Sequence, residues 1–457
     1  MNIILNVDSY KISHFKQYPD GTQFISSYIE SRGGEYPFTL FFGLQMFLKE
    51  LRAPTHDEVE YAGKLIEAHG YEFNWDGWRA IADLGYLPVR IQAVPEGTVL
   101  ETKNVLVQVV NTDERFPWLT SYLETAILRA VWYPTTVATR SKSIKNMLQM
   151  FAEQNSDDPG GIIFKLHDFG FRGVSSYESG SIGGIAHLVN FMGSDTIGAL
   201  EYGRKYYHEN VAGFSIPAAE HSTITSWGRD KEIDAYRNML KQFAKPGALV
   251  AVVSDSYDIY NAAQNIWGDA LRQEVIDSGA TIIVRPDSGD PTIVPVNVIE
   301  MLGERFGFTM NTKGYKVLPK CVRVIQGDGV NEESIETILT NLGHAGWSID
   351  NIAFGMGGEL LQTPNRDTLK FAMKASWIQQ YEYTRDVFKD PVTDKGKRSK
   401  MGRLALIENE KLAGPCYRTI REDQYVYGVK NLLVDVYRDG KLLKDYTLKE
   451  IRDRSNQ

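Results

Sequence analysis

The chain has 457 residues, 43% of them hydrophobic, which is enough for one large or two ordinary domains with substantial cores. Lys and Arg total 50 against 58 Asp and Glu, so a net charge of -8 excludes whole-surface attraction to nucleic acid or anionic lipid, and any anion must be met by a local cluster. The two cysteines, Cys321 and Cys416, cannot supply a zinc cage or a disulfide framework, and their scarcity fits a reducing, cytoplasmic location.

The opening MNIILNVDSYK lacks a basic segment followed by a long apolar stretch, and no run reaches the roughly 18 apolar residues of a membrane span. A soluble, unprocessed chain is therefore expected. Over residues 1–140 the pattern VRIQAVPEGTVLETKNVLVQVVNT reads as strands broken by turns. From about 160 to 375 the pattern changes to short β-rich apolar runs that end in Asp, Gly, Ser or Arg and are followed by helix-like stretches. The runs are IIFKLHDFG, HLVNFMGSDT, ALVAVVSDS, TIIVRPDSG, CVRVIQGDG and IDNIAFGMGG, with helical periodicity in DAYRNMLKQFA and PVNVIEMLGERF between them. Such βα units predict parallel strands with right-handed crossovers, in a βα barrel or an open doubly wound sheet, with ligands at the strand C-terminal ends. Those ends carry Asp168, Asp195, Asp255, Arg285, Asp287, Asp328, Gly357 and Gly358. The expected division is a catalytic domain over 141–379 and a second, mainly antiparallel domain from 1–140 and 380–457. In the latter, Asp439-Gly440 marks a hairpin and KDPVTDKGKRSKMGR (389–403) a basic loop that is either a solvated turn or a phosphate-seeking arm.

In SIPAAEHSTITSWG, His221 sits between a short apolar strand and a helix start where Ser222 and Thr223 are capping types. A histidine there can be structural, catalytic or phosphate-facing. No GxxxxGK[ST], GxSxG or HExxH motif occurs, and GMGGEL lacks the full dinucleotide fingerprint. Carboxylates, arginines, lysines and glycine-lined loops remain, a set that suits a polyphosphorylated sugar with Mg²⁺.

Taken together, KLHDFGFRGVSS, GSDT, PAAEHSTITSWG, VVSDSYDIYNA, IVRPDSGDP, RVIQGDGV and FGMGGELLQ closely resemble the nicotinamide phosphoribosyltransferase family. With DSYKISHFKQYP and KRSKMGRL the likeness covers nearly the whole chain. The resemblance implies a type II phosphoribosyltransferase fold, an irregular βα barrel, and a homodimer with active sites at the subunit interface. It implies transfer from 5-phosphoribosyl-1-pyrophosphate to nicotinamide, with ATP hydrolysis coupled through a phosphorylated histidine.

The same resemblance assigns roles residue by residue. Phe169 and Tyr10, the latter from the other subunit, would stack on the base, and Asp195 would accept the substrate amide, favouring nicotinamide over nicotinate. Arg172 and Arg285 would lie near the base and phosphoribosyl group, and Gly327, Asp328, Gly357 and Gly358 beside the ribose and 5′-phosphate. Asp287 would be a ribose or Mg²⁺ partner. Pyrophosphate would meet Arg32, Arg366 and Lys374, with Lys397 and Lys400 from the basic loop. His221 would be the phosphorylated residue, with Glu220 and Asp255 as supports. On spacing alone Arg366 and Lys374 read as a solvated helix face, and Asp195 as a helix N-cap. Two departures are visible: GGEYPFTLFFG after Arg32 is shorter than in animal members, and Ala372 replaces a serine that could contact phosphate.

Overall fold

The computed structural model describes residues 2–394, 397–408, 416–425 and 428–457. The chain forms two compact units, one of Met1–Thr139, Lys205–Glu209 and Pro364–Gln457, the other of Arg140–Arg204 and Asn210–Thr363.

The first unit is organised by an antiparallel sheet of seven strands in the order Tyr383–Asp386, Phe371–Gln380, Thr22–Ser31, Val105–Asn111, Val89–Ala93, Val434–Arg438, Lys441–Leu442. Three strands from the N-terminal part thus form the centre of the sheet, and strands from the C-terminal part flank them on both sides. Val105–Asn111 is buried along its whole length, so its residues are apolar nearly throughout instead of alternating. The buried amides are satisfied internally: Gln108 Nε2 donates to Gln92 Oε1 at 3.1 Å, and Asn111 Oδ1 accepts the Ile25 N–H at 2.8 Å. The hairpin forms where expected, with positive φ at Asp439 (49°) and Gly440 (80°).

The boundary after the catalytic unit lies at 363/364, not 379/380. The reason is strand pairing, because Phe371–Gln380 runs antiparallel beside Thr22–Ser31 from Thr22↔Gln380 to Ser31↔Phe371. Lys205–Glu209 also joins the first unit, held by Lys205 Nζ to Glu50 at 2.7 Å and by Tyr207, which stacks on Phe42 and donates to Glu96 at 3.0 Å.

The second unit carries a parallel sheet of six strands in the order Gly193–Ser194, Leu166–Asp168, Ile352–Met356, Val322–Gln326, Thr281–Arg285, Leu249–Val253. The segment 214–219 bridges both edges of this sheet. Phe214 pairs with Gly193 and accepts the Ser194 N–H at 3.0 Å, while Ala219 N donates to Ala251 O at 2.9 Å. The sheet therefore curls into the irregular βα barrel, its edges joined by the stretch that leads directly into His221. Helices return the chain outside it, including Val294–Phe306 and Glu332–His344, the latter opened by an Asn331–Ser334 capping box.

In HLVNFMGSDT only Gly193–Ser194 is strand. Its front end closes the helix Tyr177–His187, which is exposed at its start but buried on nearly every side from Gly180 to His187, and that part lacks the periodicity that marks a half-exposed helix. No helix among the described residues is long and apolar enough to cross a membrane.

Candidate active site

The barrel encloses a cavity of about 1260 Å³ whose lining includes Phe169, Arg172, Asp195, Glu220, His221, Arg285, Asp287, Gly327, Asp328 and Gly357. Ten expected site residues, from five strand ends and the segment that leads into His221, thus meet in one space. Asp255 stands behind His221, and Gly358, which starts the short helix Gly358–Leu361, is not part of the lining.

Phe169 follows Leu166–Asp168, and its N–H donates to Met356 O at 2.9 Å. Its ring lies against two glycines: a Cβ on Gly355 would come within 2.0 Å of the ring, and one on Gly327 within 3.6 Å. Gly355 is not among the residues the sequence points to, although a glycine inside an apolar strand is a signal of close approach. Behind the ring the wholly buried Asp168 accepts the Gly170 N–H at 2.8 Å, and burial pushes its carboxyl up to about 6.

Asp195 is exposed to the cavity and its Oδ1 accepts from the Ser215 hydroxyl. Its N–H donates to Asp168 O at 2.9 Å, which fixes it one step beyond the strand Gly193–Ser194. Ser215 lies on the edge-bridging segment, a contact that local sequence does not reveal. Four phenylalanines, Phe164, Phe169, Phe171 and Phe214, also line the cavity and give it flat apolar walls.

The helix that follows His221 is only His221–Thr225, and its N-cap residue is Glu220, with no side-chain cap bond, instead of Ser222 or Thr223. Ser222 Oγ donates to the Glu220 carboxylate. His221 is held by carboxylates on both sides: Nε2 is 3.0 Å from Asp255 Oδ1, and Nδ1 is 3.9 Å from Asp287 Oδ2. Asp255 is itself anchored by the Ser288 hydroxyl at 2.5 Å. A neutral imidazole that donates Nε2–H to Asp255 carries its lone pair on Nδ1.

The turn holding Asp255 is braced by a π-helical segment, Ala262–Ala270. It places the buried Trp267 so that Nε1 donates to Ser254 Oγ at 3.0 Å, with its ring stacked on Tyr236 at 4.7 Å.

Arg285 and Asp287 share the end of one strand, 3.7 Å apart, and the buried Arg285 Nε has no hydrogen-bond partner among the described residues. Burial pushes the Asp287 carboxyl above its usual range, Arg285 opposes this, and Asp255 and Asp328 add to it. Among the described residues no three His, Cys, Asp or Glu side chains are grouped to hold a metal ion. Asp287 fits Mg²⁺ only in the mode where substrate phosphates and water complete the shell.

The other expected residues belong to the first unit. Tyr10 is 57% exposed on the turn Ser9–Lys16, with Lys11 Nζ 5.2 Å from its ring centre. Arg32 and Lys400 both reach the buried Glu30, and Lys374 is half-buried in the strand Phe371–Gln380 instead of on a solvated helix face. Arg366 is exposed and 3.3 Å from Asp367, and Lys397 is 3.3 Å from Asp394.

A model of the nicotinate phosphoribosyltransferase (NAPRTase) family matches residues 164–441, and one of the nicotinamide phosphoribosyltransferase N-terminal domain matches residues 2–91. The chain belongs to the NAPRTase family. Within it, the chain is 54% identical to a nicotinamide phosphoribosyltransferase of Xanthomonas campestris over 99% of this chain and 97% of that one. It is 30% identical to the enzyme of the same name from Acinetobacter baylyi, covering 100% and 97%. Among solved structures it is similar in fold to a nicotinate-nucleotide pyrophosphorylase from Pyrococcus furiosus, with a TM-score of 0.65 and 16% identity over 99% of this chain and 95% of that one. Human nicotinic acid phosphoribosyltransferase follows with a TM-score of 0.59 and 16% identity over 98% and 92%.

Proposed function

We propose that the chain transfers the phosphoribosyl group of 5-phosphoribosyl-1-pyrophosphate to nicotinamide, giving nicotinamide mononucleotide and pyrophosphate in NAD salvage in the cytoplasm. The observation that carries this reading is the single barrel cavity that unites Phe169, Asp195, Arg285, Asp287 and Asp328 in a chain of this family. The base stacks on Phe169 while Asp195 accepts its amide N–H₂. A nicotinate carboxylate would meet Asp195 as a like charge, and burying either group unpaired costs about 1 to 3 kcal/mol or more. The ring nitrogen forms its bond to the ribose C1 as the C1–O bond to pyrophosphate breaks. Negative charge accumulates on the departing oxygen, and fixed cations that meet it lower the barrier.

The cations lining the cavity are Arg172 and Arg285, a small number for a pyrophosphate. Arg32, Arg366, Lys374, Lys397 and Lys400 serve that group in our reading, and with Tyr10 they act on the barrel of a partner copy in a homodimer. Mg²⁺, held by Asp287 and phosphate oxygens, would supply further charge neutralisation.

ATP is a coupled co-substrate in this reading. His221 Nδ1 attacks the γ-phosphorus, the bond to ADP breaks, and water later releases phosphate from the phosphohistidine. Asp255 holds the imidazole in the required tautomer. His221→Ala is expected to abolish ATP hydrolysis and phosphoprotein formation while leaving weak ATP-independent synthesis. ATP hydrolysis by that variant in step with product formation would contradict the phosphohistidine.

A further inference from the structure

In the first unit a second polar centre is built around Glu30, to which neither sequence pattern nor family resemblance assigns a role. Glu30 lies near the end of Thr22–Ser31 with its side chain only 4% exposed, a position where an ionised carboxylate persists only when paired. Oε1 accepts from Arg32 Nε at 3.2 Å and from the Tyr28 hydroxyl at 3.4 Å, and Oε2 is in contact with Lys400 Nζ. The Tyr28 hydroxyl in turn accepts the Lys400 backbone N–H at 2.7 Å. The basic loop is thus tied to this strand through both its backbone and its side chain.

The centre holds more positive charge than Glu30 compensates. Lys374 lies opposite Tyr28 in the strand register, and burial, together with the charges of Arg32, Lys11 and Lys389, holds its ammonium below the usual lysine range. Glu124, the carboxylate near Lys374, is already paired with Lys11 at 2.7 Å. Arg32 Nη2 is buried with no hydrogen-bond partner among the described residues. A carboxylate beside a set of anion-binding cations weakens their field, so its value must lie in geometry.

We propose that Glu30 is a positioning residue for the transfer reaction: it tethers Arg32 and Lys400 in one orientation so that their remaining donors receive pyrophosphate. The inference rests on the function proposed above, in which these cations meet the leaving group. Glu30→Gln separates geometry from field, because the neutral amide raises the local positive charge while loosening both tethers. Field alone would strengthen pyrophosphate binding, and loss of orientation weakens it.

The test measures inorganic pyrophosphate binding by calorimetry, and kcat and KM for both substrates, in the wild type, Glu30→Gln, Arg32→Gln and the double variant. Pyrophosphate binding by Glu30→Gln is expected to weaken about tenfold, with a matching fall in kcat/KM for 5-phosphoribosyl-1-pyrophosphate and an unchanged KM for nicotinamide. The double variant should lose less than the sum of the two single losses, the remainder being the freed Lys400. If Glu30→Gln does not fold, Glu30→Asp keeps the charge but shortens the reach, and the same direction of loss is expected. Unchanged or tighter pyrophosphate binding by a folded Glu30 variant, or additive losses in the double variant, would overturn the inference alone. A wild-type protein with neither pyrophosphate binding nor transfer would overturn the parent reading and this inference together.

Discussion

At the residue scale the proposed base platform, Phe169, depends on what is missing beside it. The Phe169 ring occupies the place where a Gly355 side chain would stand, with a Cβ only 2.0 Å from the ring. Gly355 has no positive φ, so Gly355→Ala leaves the backbone unstrained and displaces the ring instead. Offset stacking contributes about 0.5 to 1.5 kcal/mol. Gly355→Ala is therefore expected to raise the KM for nicotinamide by up to about tenfold, leaving that for 5-phosphoribosyl-1-pyrophosphate nearly unchanged. An unchanged nicotinamide KM would remove Phe169 from the base site. Asp195, Asp287 and Asp328 are legible in the sequence because each ends an apolar run where a parallel strand must present its C-terminal end. Ser215 and Ser288 are not, since each finds its carboxylate across a separation of 20 and 33 residues that only the closed barrel brings together.

At the element scale, a few local side chains fix the start of one helix firmly. The helix His56–Ala68 opens with a full capping box: Thr55 Oγ1 accepts the Glu58 N–H at 3.3 Å, and Glu58 Oε2 accepts the Thr55 N–H at 2.9 Å. Arg52 clamps the same carboxylate at 2.6 and 2.7 Å, and this fork holds the Glu58 carboxyl down at about 2. Thr55→Ala should cost about 1 kcal/mol in denaturant unfolding at neutral pH. Glu58→Gln should cost about as much, and not more, because Arg52 is half exposed to solvent. The folded-state value lies below the unfolded one, so this stabilisation is present above pH 4.5 and fades as pH falls towards 2. Equal destabilisation by Glu58→Gln at pH 7 and pH 2 would contradict the ion pair as its source. By contrast, HLVNFM shows the limit of pattern reading: a fully buried helix end and a buried strand are equally apolar. Lys374 shows it again, since its half-buried strand position follows from pairing with a strand more than 300 residues earlier.

At the scale of the whole molecule the discontinuous units explain which expectations held. The antiparallel domain is legible as the union of both chain ends because their patterns differ from the βα repeats between them. The return of Phe371–Gln380 to the first unit is not, because only long-range pairing with Thr22–Ser31 decides it. If the assembly shares sites as proposed, Tyr10→Ala and Asp195→Ala proteins, each inactive alone, should partly recover activity when co-assembled. Co-assembled dimers without activity would count against a borrowed Tyr10.

Substrate competition decides whether Asp195 selects nicotinamide. The wild type and Asp195→Asn are given 5-phosphoribosyl-1-pyrophosphate and Mg²⁺ with equimolar nicotinamide and nicotinate, with and without ATP, and the mononucleotides are resolved by chromatography. The wild type is expected to give nearly exclusively nicotinamide mononucleotide, more of it with ATP, and Asp195→Asn to reduce the preference at least tenfold. Nicotinic acid mononucleotide as the main wild-type product, or no mononucleotide at all, would contradict this expectation.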